Sequence, residues 1–192
     1  LAGEAKRLND ASHPPPGWHH LPLLRPADTY TVGSRGIATS VEGGVGIIQR
    51  PVDVALTPAT RLRWSWRLDA LPSQLPENTT LTHDYLSVAV EFDDGRDLTW
   101  HWSCALPPGF SYPCPFDHWR RRETHVVVRT GTADLGCWVD EERPVLADHH
   151  VAIGGRAPAR IVAIWLISCS FLQGNEGRGE IASMELVDRN DV

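Results

Sequence analysis

Three segments carry side chains that would do chemistry together if a sheet brought them to one face. In LTWHWSC (98–104), His101 stands between Trp100 and Trp102. In RLRWSWRLD (61–69), Arg63, Ser65 and Arg67 alternate with leucine and tryptophan, and in YLSVAVEF (85–92), Tyr85, Ser87 and Glu91 alternate with Leu86, Val88, Val90 and Phe92. Successive strand side chains point to opposite faces. Each segment therefore has one apolar face and one polar face. If the polar faces coincide, Arg63 and Arg67 can hold an anionic group while His101 and Tyr85 move protons and Glu91 supplies a carboxylate. Ser65, Ser87 and Ala89 are small and leave room for a ligand. Glu180 and Glu185 can join from the last strand. The competing reading is a solvated outer face, where an ion pair or a surface histidine contributes under about 1 kcal/mol.

A second candidate is the aromatic loop PPGFSYPCPFDHW (107–119). Phe110, Tyr112, Phe116 and Trp119 in a stiff proline-rich loop form a platform for stacking sugar rings, with Tyr112 and Trp119 as ligand-binding residues. Alternatively the loop folds back over one end of the molecule and buries its own rings. Asp117 and His118 are neighbours, and neighbours in extended chain rarely face the same way.

Metal chemistry has weaker support. Asp148-His149-His150 and His19-His20 are the densest ligand clusters, and neither has the i, i+2 spacing that a strand requires or the i, i+4 spacing of a helix. A composite site using His101 and His125 is conceivable, but no metal and no cofactor is expected. There is no G-x-S-x-G, H-E-x-x-H, Walker A loop or G-x-G-x-x-G after a strand. Cys104 and Cys114 flank a short loop. They form either a disulfide worth roughly 2–3 kcal/mol or two free thiols, and spacing alone does not decide between them.

The elements that must position these residues are strands. They are expected at 30–40, 45–54, 61–69, 85–92, 98–104, 124–130, 136–139, 160–170 and 179–188, with a possible helical turn within 134–154. Asp94-Gly95 marks a hairpin between the second and third reactive segments. RIVAIWLISCS is apolar on both faces and reads as a central strand covered on both sides. The pattern predicts an all-β, antiparallel two-sheet sandwich of jelly-roll type over 30–192. It follows an irregular segment, 1–29, with a short helix at 2–8. The apolar faces of the three segments, with Trp64, Trp66, Trp100 and Trp102, make the core.

The composition fits one globular domain: 192 residues, 42% hydrophobic and 22% charged. A net charge of −6 with Lys6 as the single lysine argues against a nucleic-acid partner. No apolar run is long enough to span a membrane. The chain starts at Leu1 and its one methionine is Met184, which gives the expectation of a processed product.

RLRWSWRLDALP followed by DYLSVAVEFDDGRDLTWHWS resembles the bacterial domain-of-unknown-function family 3047, with its W-x-W-R strand, D-Y strand and Y/W-x-W strand. RIVAIWLISCS and GEIASMEL resemble that family's closing strands, so the likeness covers roughly 45–188. SCSFLQGNEG departs from the family's Asp/Thr-rich stretch at the corresponding place. The resemblance implies a β-sandwich of bacterial origin, often exported, and implies no reaction. The function expected from the residues is binding of a glycan or other small polar or anionic ligand on the polar sheet face. The alternative is an acid–base lyase or hydrolase on that face, by analogy with jelly-roll polysaccharide lyases.

Overall fold

The computed structural model describes residues 18–20, 29–80, 82–83 and 85–188. The helix expected at 2–8 lies outside them, as does most of the segment 1–29.

Two sheets pack as a jelly-roll sandwich. The larger has seven strands in the order β1 (His19–His20), β4 (Val45–Ala55), β11 (Arg160–Cys169), β6 (Leu86–Phe92), β7 (Asp97–Ser103), β9 (Glu123–Thr130) and β8 (Ser111–Pro113). The smaller has five, in the order β10 (Val139–Pro144), β5 (Thr60–Ala70), β12 (Glu176–Asp188), β3 (Ile37–Glu42) and β2 (Tyr30–Val32). One helix among the described residues, α1 (Val145–Ala152), follows β10. It supplies the helical turn expected within 134–154. The strand expected at 136–139 starts three residues later, as β10.

The tryptophans fill the space between the sheets as their alternation predicts. Trp64 and Trp66 of β5 meet edge to face at 5.5 Å. They reach across to Trp100 and Trp102 of β7 at 6.0 and 5.9 Å. Leu62, Leu68, Val88, Val90 and Leu98 complete this layer, each fully buried. Burial of each large side chain is worth on the order of 2–3 kcal/mol. Trp100 also donates its indole N–H to Asp148 on α1 at 2.8 Å, and Arg143 holds that carboxylate through both oxygens. The acid beside the His149-His150 pair is thus occupied in tying the helix to the core.

Two expectations are corrected by pairing. β7 and β9 run parallel, while every other pairing among the described residues is antiparallel. A parallel pair needs a long connection. Residues 104–122 supply it and place β8 outside β9 as the sheet edge. The strand expected at 30–40 is broken by a turn in which Gly33 N–H donates to Gly36 O at 2.9 Å.

That turn wraps around Glu180, which is 2% exposed. Ser34 Oγ and the Gly36 N–H donate to it, each at 2.9 Å, and the Arg35 N–H donates as well. A Cβ at Gly33 would collide with the Glu180 side chain, and one at Gly36 with the backbone at Ile181. Burial alone would raise the Glu180 carboxyl, but these donors outweigh it and hold the group below the ordinary carboxylate range. A depressed folded pKa contributes stability that is fully present above the unfolded value and is lost as pH falls through the folded one. Glu180→Gln is expected to cost about 1–3 kcal/mol in urea denaturation at neutral pH, because an amide turns donors toward donors. The gap between wild type and variant should shrink below about pH 4. An unchanged gap there would refute the linkage.

Candidate functional site

The polar face expected to unite Arg63, Arg67 and His101 does not exist as one surface. β5 belongs to the five-stranded sheet, while β6 and β7 belong to the seven-stranded one. When their apolar faces meet in the core, their polar faces point away on opposite sides of the sandwich. Arg63 pairs with Glu142. Arg67 pairs with Asp69 at 2.9 Å and lies 3.6 Å from Glu180. Arg63 and Glu185 border a cavity of about 330 Å³ with Asp140, Glu141 and Glu142. Ser65 is buried on this sheet opposite Asp140 and Ser183.

Tyr85 is a second correction. It precedes β6 and turns into the core, where it is 2% exposed and sits against Gly177. Burial raises its phenol well above the ordinary value and keeps it protonated. It is not a partner for His101.

The outer face of the seven-stranded sheet does carry Ser87, Glu91, Thr99, His101 and Ser103, and these are joined by Glu123 and His125 of β9. It is not a solvated face. Ser87, Thr99, His101, Ser103 and His125 are all fully buried, because the loops before β6 and after β7 fold over them. Glu77 anchors the first loop by accepting from Ser103 Oγ and from the Cys104 N–H at 2.7 Å. All four cysteines are free thiols. Tyr112 of β8 stacks on His125 at 5.0 Å, and its hydroxyl lies 3.1 Å from His101 Nε2. The aromatic loop thus folds back at Tyr112, and Pro113 takes an edge position that needs no ladder donor.

At one end of this covered face four metal-ligating side chains converge. The ligand atoms of His83, Cys114, Glu123 and His125 all lie within 4.8 Å of one another, and all four residues are buried. Cys114 N–H donates to Glu123 O at 2.9 Å, which sets β8 and β9 in register. Glu123 and His125 are two apart on one strand and share a face. His83 arrives from the covering loop with φ 41°, a left-handed backbone unusual outside glycine.

Beside this cluster runs a groove of about 320 Å³. Val45, Ile47, Trp165, Ile167 and Cys169, from β4 and β11, form its floor, and Phe116, His118, Trp119, Phe171 and Leu172 line it from the loops. His83 and Glu123 contribute to its lining as well. Trp119 meets Trp165 edge to face at 6.4 Å. Arg122 lies over both rings at 5.2 Å and reaches Glu91 at 3.0 Å and Asp97 at 3.2 Å. Gln49 binds the other Glu91 oxygen at 2.9 Å. Burial, then the nearby Glu123 carboxylate, push the Asp97 carboxyl well above the ordinary range, with Arg122 acting against both. His101 and Glu91 do not line the groove, and Asp117 is exposed away from its lining.

The chain matches, over residues 16–185, the family described as protein of unknown function DUF3047. The chain belongs to that family. No curated protein matches it. Among solved structures, endoglucanase cel12A from Rhodothermus marinus aligns with this DUF3047 chain at TM-score 0.50 and 14% identity, covering 90% of this chain and 93% of that one. The xyloglucanase domain of NopAA from Sinorhizobium fredii, solved with cellobiose, gives 0.49 at 4% identity over 90% and 93%. A family 11 carbohydrate-binding module of Clostridium thermocellum gives 0.41 at 10% identity over 83% and 79%. What the DUF3047 chain shares with the endoglucanase is the jelly-roll fold.

Sequence reasoning missed Glu123, His83 and the role of Cys114. Glu-Thr-His at 123–125 has the i, i+2 spacing that a strand site requires, but starting the strand at 124 hid it. For Cys114 the sequence leaves a disulfide with Cys104 and a free thiol both open, and neither reading places it beside a histidine. Nothing local marks His83.

Arg122 is the cation common to Glu91, Asp97 and the two tryptophans. Arg122→Ala is expected to lower stability by about 1–3 kcal/mol, less than for a fully buried pair because the side chain is 35% exposed. The check is a drop in urea midpoint at unchanged m-value. A shift within error would mean the guanidinium is decorative.

Proposed function

We propose that the chain is a glycan-binding module whose ligand lies in the groove on the outer face of the seven-stranded sheet. The observation that carries this reading is a groove of about 320 Å³ walled by the half-buried Trp119, which meets the buried Trp165 of the floor edge to face. Sugar rings have apolar C–H faces that stack on indoles, and hydroxyl rims that need donors and acceptors. Here the apolar walls come from Trp119, Trp165 and Phe116, and the polar atoms from His83, His118 and Glu123. A few polar groups in a mostly apolar cleft at the small end of ligand-site sizes is the usual composition of such sites. The likeness to an endoglucanase supplies the architecture alone; the reading rests on the groove.

Binding is favoured over hydrolysis by the acids. Glycoside hydrolysis needs two carboxylates about 5–9.5 Å apart across the scissile bond. Glu123 is the one carboxylate among the described groove-lining residues. Glu91 is committed to Arg122 and Gln49. His101, buried outside the groove lining, has no access to a ligand there.

Titration with pooled neutral and acidic oligosaccharides, followed by tryptophan fluorescence and calorimetry, tests the reading. Trp119→Ala is expected to weaken binding by about tenfold, the equivalent of 1.4 kcal/mol for one lost stacking contact, with the fold retained. Absence of binding to every glycan by a folded wild-type chain would overturn it. Tighter binding of an aliphatic acyl probe than of any glycan would do the same.

A further inference from the structure

We propose that His83, Cys114, Glu123 and His125 form a binding site for a divalent transition metal of zinc type. The proposal goes beyond the glycan reading: His83 and Glu123 belong to both the cluster and the groove lining, and metal binding is measured with no glycan present, so the two readings fail separately.

The donor set is the first argument. Two imidazoles, one thiol and one carboxylate are a borderline-soft combination that suits Zn²⁺, and that calcium or magnesium, which take oxygen ligands, would not select. Geometry is the second. With Zn–S about 2.3 Å and Zn–N or Zn–O about 2.0–2.1 Å, the edges of a tetrahedral site come to roughly 3.4–3.6 Å. Cys114 Sγ lies 3.5 Å from His83 Nε2, and His125 Nε2 lies 3.5 Å from Glu123 Oε2. Two opposite edges of the tetrahedron are thus at the length a bound zinc would impose. The remaining donor separations stay within 4.8 Å and need closure of about an ångström.

The surroundings orient these donors. Thr99 Oγ1 donates to Glu123 Oε1 at 3.3 Å, which leaves Oε2 as the oxygen facing His125. Tyr112 stacks on the His125 ring and fixes its plane. Phe116 packs against His83 at 4.9 Å, and His83 O accepts from Gln173 Nε2 at 2.9 Å. Such outer partners hold metal ligands in place. His83 has φ 41°, a conformation concentrated at ligand clamps and active sites. Glu123 and His83 also line the groove, so the metal would lie at its margin.

The test uses the full chain, stripped with a chelator and titrated with Zn²⁺ against a chromophoric competitor and separately with Co²⁺. One equivalent is expected to bind. The cobalt form should show the visible bands of tetrahedral coordination and a thiolate-to-cobalt charge-transfer band in the near ultraviolet. Cys114→Ser should abolish the charge-transfer band. His125→Gln should weaken zinc by more than about 100-fold, since even outer-shell losses cost 10–100-fold. His150→Gln, exposed on α1, should leave both unchanged. Tryptophan fluorescence of the metal-free variants reports whether they fold. Failure of the folded wild type to bind stoichiometric Zn²⁺ or Co²⁺ would overturn the proposal, as would binding indifferent to both Cys114→Ser and His125→Gln.

Discussion

The structure depends on one strand that has no polar face. In β11, Ile161, Ile164 and Leu166 enter the core between the sheets, while Ala163, Trp165, Ile167 and Cys169 form a second apolar cluster on the far side. β11 lies between β4 and β6, so the sheet on which it is central must be covered on both faces. Exposing that second cluster to water would forfeit the burial of an indole and two aliphatic side chains. The five-stranded sheet covers one face. Loops have to cover the other, and their incomplete closure over Val45, Ile47 and Trp165 leaves the groove.

Covering a face that also holds Ser87, Thr99, His101 and Ser103 creates a polar problem, because buried donors and acceptors are costly unless partnered. The covering loops solve it with side chains of their own. Glu77 takes the end of β7, and Tyr112 takes His101. Arg122 spans Glu91 and Asp97 while its guanidinium lies over Trp119 and Trp165. The left-handed backbone at His83 belongs to the same arrangement: a loop tied at Glu77 and at Gln173 turns its imidazole down onto β9.

The alternating tryptophans made the sandwich and most of its strands legible, because the burial of four indoles leaves only one face for a core. Sheet membership was not legible. Alternation says which residues of β5 and β7 share a face with their own neighbours, and it says nothing about whether those strands lie side by side or face each other across the core. Both arrangements bury Trp64 beside Trp100, yet one unites Arg63 with His101 and the other sets them on opposite outsides of the sandwich. Tyr85 misled for a related reason: it lies one residue before the β6 ladder begins, where the period of two no longer constrains it. Cys114, Glu123 and His83 are brought together by the parallel β7–β9 pairing and the edge strand β8. That topology depends on a 19-residue connection, 104–122, whose path no local pattern encodes.

The two outer faces show what the difference in cover does. On the five-stranded sheet the arginines reach partly into solvent, and Arg63–Glu142 and Arg67–Asp69 are pairs that water screens, each worth little. On the seven-stranded sheet Arg122 pairs with Glu91 and Asp97, with Glu123 close to Asp97, and on the buried Asp97 the same Coulombic forces act through a medium of lower dielectric. Charge concentrated beneath an apolar cover is tolerated only where each group has a defined partner, so this is the face on which position is most tightly specified. A groove floored by β4 and β11 and edged by such paired groups is a surface already formed in the folded chain. The ordering cost of assembling it is met during folding. The small size of the groove therefore follows from the same demand that hid His101: the outer face had to be packed, and the groove is the portion the loops left open.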